Sequence, residues 1–480
     1  MGYLGIDVGT SAVKVGFMTR SGEWVVRSAP VAGADEALRT GMIDPREWWN
    51  ATKTALKNLD EVTSRERVDS IGVIGNTPTL IFVDGGGAPV YPAILWNDTR
   101  ATTEAKELLK DHPQEDWNMI YGGYMPVSAA YPSAKLRWMQ RHEREVMACT
   151  AKILQPKDFV NFHLTGVMAG DHWTSKGLVR LGSGGRHDPL EALGLDAALA
   201  PTCFRPLDVI GTVTTGSSHV TGLPEGTPVM AGWSDTLGAV VSLGLNSGDG
   251  FILSGTSESI GILTQHEISN TSSTVLCAPV WDSGYKVVYG PTSSGLATLR
   301  WAETALALDL LNEAEEVPLN DALPLFVPFV LGQRSPIWND QVRGAWFNVD
   351  IHTTREQLGA GVVLGVVAAE RDVMEAVRKL MNDHFSRIVV TGGGSKIASL
   401  NEWRTAIFDV PLFHVSTDPV LGAALLAYWG LNPHDFPHGP SDLRKPYQLV
   451  GGDSKPSIYE SYRKAKQAVL DYTTDGRRDC

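Results

Sequence analysis

The chain has 480 residues, 43% of them hydrophobic and 20% charged, which suffices for ordinary apolar cores and excludes a disordered composition. At roughly 100–200 residues per domain, this length predicts two to four domains. With 41 Lys+Arg against 54 Asp+Glu the formal net charge is −13, which argues against a nucleic-acid partner, because phosphates attract basic surfaces.

Residues 3–8 and 13–18 are predicted as strands joined by the turn Gly9-Thr10-Ser11. After Ser21-Gly22, Glu23–Arg27 completes a meander. Helical periodicity covers 45–59, with Pro45 suited to a first turn. Val68–Ile74 and Leu80–Val83 read as apolar strands, the second entering the turn Gly85-Gly86-Gly87. Helices are predicted over 101–110 and 132–147. From about 150 to 225, Gly and Pro interrupt the chain and no period emerges. Pro228–Gly232 reads as a strand and Asp235–Leu243 as a helix. An apolar strand from Gly250 then enters Gly255-Thr256-Ser257 and a second strand, echoing Ile6–Ser11 and predicting two related halves. Helices follow at 295–307 and 355–383, then the strand Ile388–Thr391 with its turn Gly392-Gly393-Gly394-Ser395. A helix at 419–429, a polar Pro-rich stretch and a helix at about 457–472 close the chain.

The four cysteines, Cys149, Cys203, Cys277 and Cys480, have neither metal-ligand spacing nor the density of a disulfide scaffold, so reduced thiols in a cytoplasmic protein are expected. The opening Met1–Asp7 has no signal-peptide pattern, and no apolar run is long enough to span a membrane.

Several segments could carry chemistry. Asp7 at a strand end, before the small turn Gly9-Thr10-Ser11, suits a phosphate-and-magnesium site, with Lys14 near the phosphates; it also reads as an ordinary turn aspartate. Asp235, between an apolar strand and a helix, suits the base that accepts a hydroxyl proton during phosphoryl transfer, or an N-cap. Gly392-Gly393-Gly394 permits close approach of a flat ligand or phosphate but lacks a full dinucleotide fingerprint. Trp96-Asn97-Asp98-Thr99-Arg100 offers a flat ring and polar groups to a polyhydroxylated ligand, or is a charged surface loop. No serine-hydrolase elbow, His-Glu-x-x-His motif or Walker A loop occurs.

Taken in order, Tyr3–Val15, Pro92–Arg100, Pro132–Trp138, Pro156–Gly166, Pro228–Asp235, Ile252–Ser257, Val327–Pro336, Arg343–Phe347, Ile388–Gly394 and Gly422–Ala427 resemble the FGGY carbohydrate kinases, xylulokinases in general look most of all. The resemblance implies an α/β fold of two actin-like (ribonuclease H-like) domains with a cleft between them, here at 1–246 and 247–480. It implies transfer of the γ-phosphate of ATP to a hydroxyl of a small sugar or polyol, a ketopentose such as xylulose or a related tetrulose. Carried over by motif, Asp7 would help hold Mg²⁺, and Thr10, Ser11 and Lys14 would line the first phosphate loop. Gly255 and Thr256 would form the second, and Gly392, Gly393 and Gly394 would border the adenosine. Asp235 would be the general base, with Trp96, Asp98 and Tyr131 lining the sugar pocket. The resemblance also implies a homodimer.

Departures concentrate where the sugar is read. Xylulokinases carry Gly-Gln-Met-His-Gly where this chain has Gly75-Asn76-Thr77-Pro78-Thr79, and an Asn follows their catalytic Asp where this chain has Thr236. Asn76, Thr77 and Thr236 are therefore expected to bond a substrate of three to six carbons. Ser395–Asn401, after the triple glycine, is longer than usual. The alternative is a non-catalytic sugar-responsive regulator on the same fold. That reading expects an added DNA-binding module or a lost Asp235, and neither is seen.

Overall fold

A computed structural model of the chain describes residues 2–21, 23–60, 68–181, 188–268, 274–280, 284–310, 317, 322–381, 385–437, 448–450 and 455–475. Gly22 and Cys480 lie outside these. The chain forms two compact units. The first runs Met1–Gly244 and takes back Asp418–Arg444; the second is built from the rest between Leu245 and Cys480.

In the first unit, Gly2–Val8 pairs antiparallel with Ala12–Thr19, which pairs antiparallel with Trp24–Pro30. On its other side Gly2–Val8 pairs parallel with Val68–Gly75, followed by Pro228–Met230 and Val209–Thr212. Every residue of Gly2–Val8 is buried, so this strand is covered on both faces. Alternation sorts its side chains. Leu4, Ile6 and Val8 join a core with Trp48, Ala51, Ala55 and Leu56 of the helix Arg46–Asp60. Tyr3 and Gly5 face the helix Pro419–Leu431: the Tyr3 ring meets Tyr428 edge-on at 5.1 Å, and a Cβ on Gly5 would strike the Val420 carbonyl oxygen. That helix is apolar around its whole circumference, as a helix buried on several sides must be. It crosses Asp235–Ser242 closely enough that a Cβ on Gly422 would run into the Gly238 backbone.

In the second unit, Asp249–Ser254 holds the central place. It pairs antiparallel with Glu258–Thr264, then Tyr285–Thr292 and Leu276–Val280 follow, while Arg387–Thr391 and Leu412–His414 add in parallel on the other side. In both sheets the two strands joined by the Gly-Thr-Ser turn pair antiparallel and parallel strands extend the other side, while in the second sheet Leu276–Val280, earlier in the chain than Tyr285–Thr292, lies outside it at the sheet edge. The long helix Arg355–Met381 supplies much of this unit's core, with Val362, Val363, Val366 and Val367 buried against Ile252, Ile260 and Phe326.

Two segments differ from expectation. The helix predicted over 132–147 is two helices, Pro132–His142 and Arg144–Cys149. Glu143 between them leaves helical geometry at φ −129°, where its carboxylate accepts from the Tyr91 hydroxyl at 3.0 Å. The interrupted stretch after 150 contains a well-formed helix, Pro156–Thr165, with a capping box between Gln155 and Asp158. It is buried on nearly all sides, so it has no polar face from which a period could be read. The long segment after the triple glycine winds into a short 3₁₀ turn, Gly394–Lys396, and then the helix Ala398–Ile407. Among the described residues Cys149, Cys203 and Cys277 are free thiols, and no helix is long and apolar enough to cross a membrane.

Candidate active-site residues

Asp7 lies near the end of its strand, directly across the antiparallel pair from Lys14. It is 8% exposed, and its Oδ1 is buried without a hydrogen-bond partner. Burial, with the Asp235 and Asp418 carboxylates nearby, pushes Asp7 up to about 8 against the opposing pull of Lys14. Lys14 Nζ is 2.8 Å from Asp418 Oδ2, and Asp418 Oδ1 accepts from Val420 N at 3.2 Å, capping the helix Pro419–Leu431. Asp418 went unrecognised in the sequence, although Asp418-Pro419 is a helix-start signal.

The first turn is held from outside. Trp48 Nε1 donates to the Gly9 carbonyl at 3.0 Å, and Val31 N donates to the Ser11 carbonyl at 3.0 Å. Thr10 Oγ1 accepts from Trp96 Nε1 at 3.2 Å, which ties the Trp96–Arg100 segment to this turn. Ser11 itself is exposed.

Asp235 is the first residue of its helix, and the capping role expected of it belongs to Ser234, whose hydroxyl accepts from Leu237 N at 3.3 Å. Thr236 fixes one carboxylate oxygen: Asp235 Oδ1 accepts from Thr236 N at 2.5 Å and from Thr236 Oγ1 at 3.2 Å. Asp235 Oδ2 accepts nothing among the described residues. Burial raises the Asp235 pKa; the Thr236 bonds and the Lys176 ammonium oppose it. The chain just before Asp235 is anchored at Ala231, whose carbonyl accepts from Lys157 Nζ and Asn161 Nδ2, both at 3.0 Å. Lys157 is fully buried, 2.5 Å from Asp158 and 2.9 Å from Asp171. Burial disfavours that ammonium, but the two carboxylates outweigh it and hold Lys157 above its ordinary pKa.

The expected sugar readers are placed unevenly. Asn76 is 3% exposed and turned inward, its Nδ2 on the Val8 carbonyl at 3.0 Å and its Oδ1 taking the Thr79 hydroxyl at 2.7 Å. Asp98 holds Arg100 through both oxygens, at 2.6–2.9 Å. Tyr131 sits at the N-cap position of Pro132–His142, and Lys135 one turn on donates to the Leu95 carbonyl at 2.5 Å, fixing the chain beside Trp96. Thr77 stays half-buried, with its hydroxyl 3.3 Å from Gln155 Oε1 and 3.4 Å from Lys176 Nζ. Lys176 is coupled electrostatically to Asp235. Sequence reasoning missed it, because it lies in the stretch without a period.

In the second unit, the Gly255 and Thr256 carbonyls accept from Leu296 N and Ala297 N at 3.0 Å, seating this turn on the start of the helix Leu296–Leu306. Gly392, at φ +94°, abuts the Ser254 carbonyl, and a Cβ on Gly394 would strike the Ser254 hydroxyl. Gly393 lies against Leu296. The structure therefore brings the second Gly-Thr-Ser turn and the triple glycine together around Ser254. Beneath them Arg404, fully buried, bonds Glu370 at 2.5–3.0 Å, Ser254 Oγ at 2.6 Å, Asn401 Oδ1 at 3.0 Å and Glu258 at 3.1 Å. Nothing in the local sequence pattern marks that network.

Chemically, Asp235 presents a carboxylate oxygen ready to take a proton. The orphan Asp7 Oδ1 suits a divalent cation. No group of three metal-ligating side chains gathers among the described residues.

Residues 2–242 match the N-terminal domain of the FGGY family of carbohydrate kinases, and residues 250–431 match its C-terminal domain. A xylulose kinase of Klebsiella pneumoniae is 29% identical over 473 residues, covering 93% of each chain. Among solved structures, a xylulose kinase from Rhodospirillum rubrum superposes with a TM-score of 0.86 at 22% identity, over 99% of this chain and 100% of that one. A Plasmodium falciparum glycerol kinase with ADP gives 0.85 at 17% identity, over 98% of each chain. The two sheets are accordingly the actin-like, ribonuclease H-like domains of such kinases.

Proposed function

We propose, for a chain that belongs to the FGGY family of carbohydrate kinases and is therefore an ATP-dependent phosphotransferase with an alcohol acceptor, that Asp235 is its general base and a ketopentose such as xylulose, or a related tetrulose or polyol, its acceptor. The observation that carries this reading is the Asp235 carboxylate, one oxygen held by Thr236 and the other without a partner among the described residues. As the acceptor oxygen attacks the γ-phosphorus, its proton passes to Asp235; the bond from the γ-phosphorus to the bridging oxygen breaks and ADP leaves. Thr10, Ser11 and Lys14 serve the phosphates in the first unit, and Gly255, Thr256 and Gly392–Gly394 serve the nucleotide in the second. Trp96, Thr77 and Thr236 contribute to the sugar site, with Asp98 acting through Arg100. Asp7 is the residue that would hold Mg²⁺, which when bound neutralises phosphate charge.

A coupled ADP-release assay over ketopentoses, tetruloses, pentitols, tetritols, glycerol and ketohexoses tests the acceptor. Xylulose or a close relative should respond most strongly; a strong response from glycerol alone would overturn the ketose assignment. Asp7→Ala should raise the Mg²⁺ and ATP requirement well beyond any change in the sugar KM. Unchanged magnesium dependence would remove Asp7 from that role.

A further inference from the structure

We propose that Lys176 is a substrate-binding residue, donating a hydrogen bond to an oxygen of the acceptor. This rests on the reading of Asp235 as the base.

The inference starts from an imbalance. Asp171 opens a tight turn whose own backbone saturates its carboxylate: Oδ1 accepts from Trp173 N at 2.9 Å and Thr174 N at 3.1 Å, while Oδ2 takes the Thr174 hydroxyl and the Lys157 ammonium. Lys176, at the end of the turn, therefore finds Asp171 already occupied. It is 3% exposed, yet it has no carboxylate within ion-pair distance among the described residues. Among the described residues its ammonium makes one hydrogen bond, a long one of 3.4 Å to Thr77 Oγ1, and lies 5.0 Å from the Trp173 ring centroid. An ammonium has three donors, so two remain unused. A buried charge left that way is costly unless something else completes its shell.

The remaining neighbours say what that something is. Trp233–Ser234 pairs with Ile74–Gly75, so Asp235 and Thr77 follow the ends of adjacent strands, and Lys176 reaches the half-buried Thr77 hydroxyl, while Asp235 Oδ2 accepts nothing among the described residues. The two unused groups are complementary, a donor without an acceptor and an acceptor without a donor. An acceptor with more than one oxygen satisfies both, one hydroxyl giving its proton to Asp235 and another oxygen accepting from Lys176. An ammonium donates and never accepts, so it reads lone pairs, whether of a ketone or of a hydroxyl. The acceptor class is a ketose or polyol, and a deoxy analogue lacking the oxygen that Lys176 reads is discriminated against. Burial is the main force lowering the Lys176 pKa to about 8, with Asp171 and Asp235 opposing it, so the charge that binds the sugar is lost just above neutral pH.

Lys176→Met keeps length and removes the charge. With the acceptor identified by the panel, the variant should raise its KM about 10–100-fold, the range expected for a hydrogen bond from a charged group. The ATP KM should change less than about two-fold, and the melting temperature should stay level or rise because a buried charge is gone. In the parent protein the acceptor KM should climb as pH passes about 8, and in Lys176→Met that climb should vanish. An unchanged acceptor KM in a folded variant overturns the inference while leaving the kinase reading intact. A lower melting temperature with both KM values shifted together assigns Lys176 to the scaffold, which also overturns it. If the parent protein phosphorylates nothing in the panel, the kinase substrate reading fails first and this inference falls with it.

Discussion

Asp235→Asn is expected to lower turnover by at least about 10²-fold, the range for a positioned general base, while the sugar KM moves much less. Asparagine preserves the size of the side chain, and its carbonyl can still accept from Thr236 N and Oγ1, so the helix start should not shift. What is lost is the second oxygen, which becomes an amide that cannot take a proton. Ser234, not Asp235, caps the helix, so the substitution should cost little stability. Burial holds the parent carboxylate above its ordinary range. The acidic limb of the parent kcat/KM profile should therefore rise later than that of an exposed aspartate, and the variant should lack that limb. Steady-state ADP release across pH measures both, and near-parental turnover in Asp235→Asn would discard the assignment.

Arg404→Met is expected to destabilise the second unit by about 3–5 kcal/mol, the cost of stripping one partner from a buried ion pair. Arg404 is fully buried and is the cation shared by Glu258 and Glu370. Burial, then the neighbouring Glu370, already lift Glu258 well above its ordinary pKa, with Arg404 the main restraint. A carboxyl whose folded pKa is raised stabilises most below its unfolded value, and that stability is lost as pH rises through the folded value. Removing Arg404 should steepen this loss, so the melting temperature of the variant should recover partly at mildly acidic pH. Because Ser254 links Arg404 to the triple glycine, the ATP KM should rise as well. Thermal melts at several pH values test this, and a variant as stable as the parent at neutral pH would show that the network is dispensable.

Much of the frame was legible in the amino-acid order. Apolar strands, the two Gly-Thr-Ser turns and the aspartates near strand ends are local patterns, because a turn or a strand face is set by residues a few positions apart. Taken in order they carry the resemblance to a duplicated α/β kinase, and it is that resemblance that singles out Asp7 and Asp235. The sequence also encodes the start of the helix Pro419–Leu431 through Asp418-Pro419, but not where the helix goes. Packing alone decides that it lies on Gly2–Val8 and Val68–Gly75, where it sets Asp418 beside Lys14. The helix Pro156–Thr165 was hidden because burial on nearly every side erases amphipathic period. Tertiary structure also redistributed the polar residues. Asn76 directs its amide to Val8 and Thr79, Asp98 holds Arg100 with its carboxylate, and Lys176, unremarkable in sequence, is left with unused donors beside Thr77. Which polar groups remain free for a substrate depends on hydrogen bonds between residues dozens to hundreds of positions apart, and no local pattern records them.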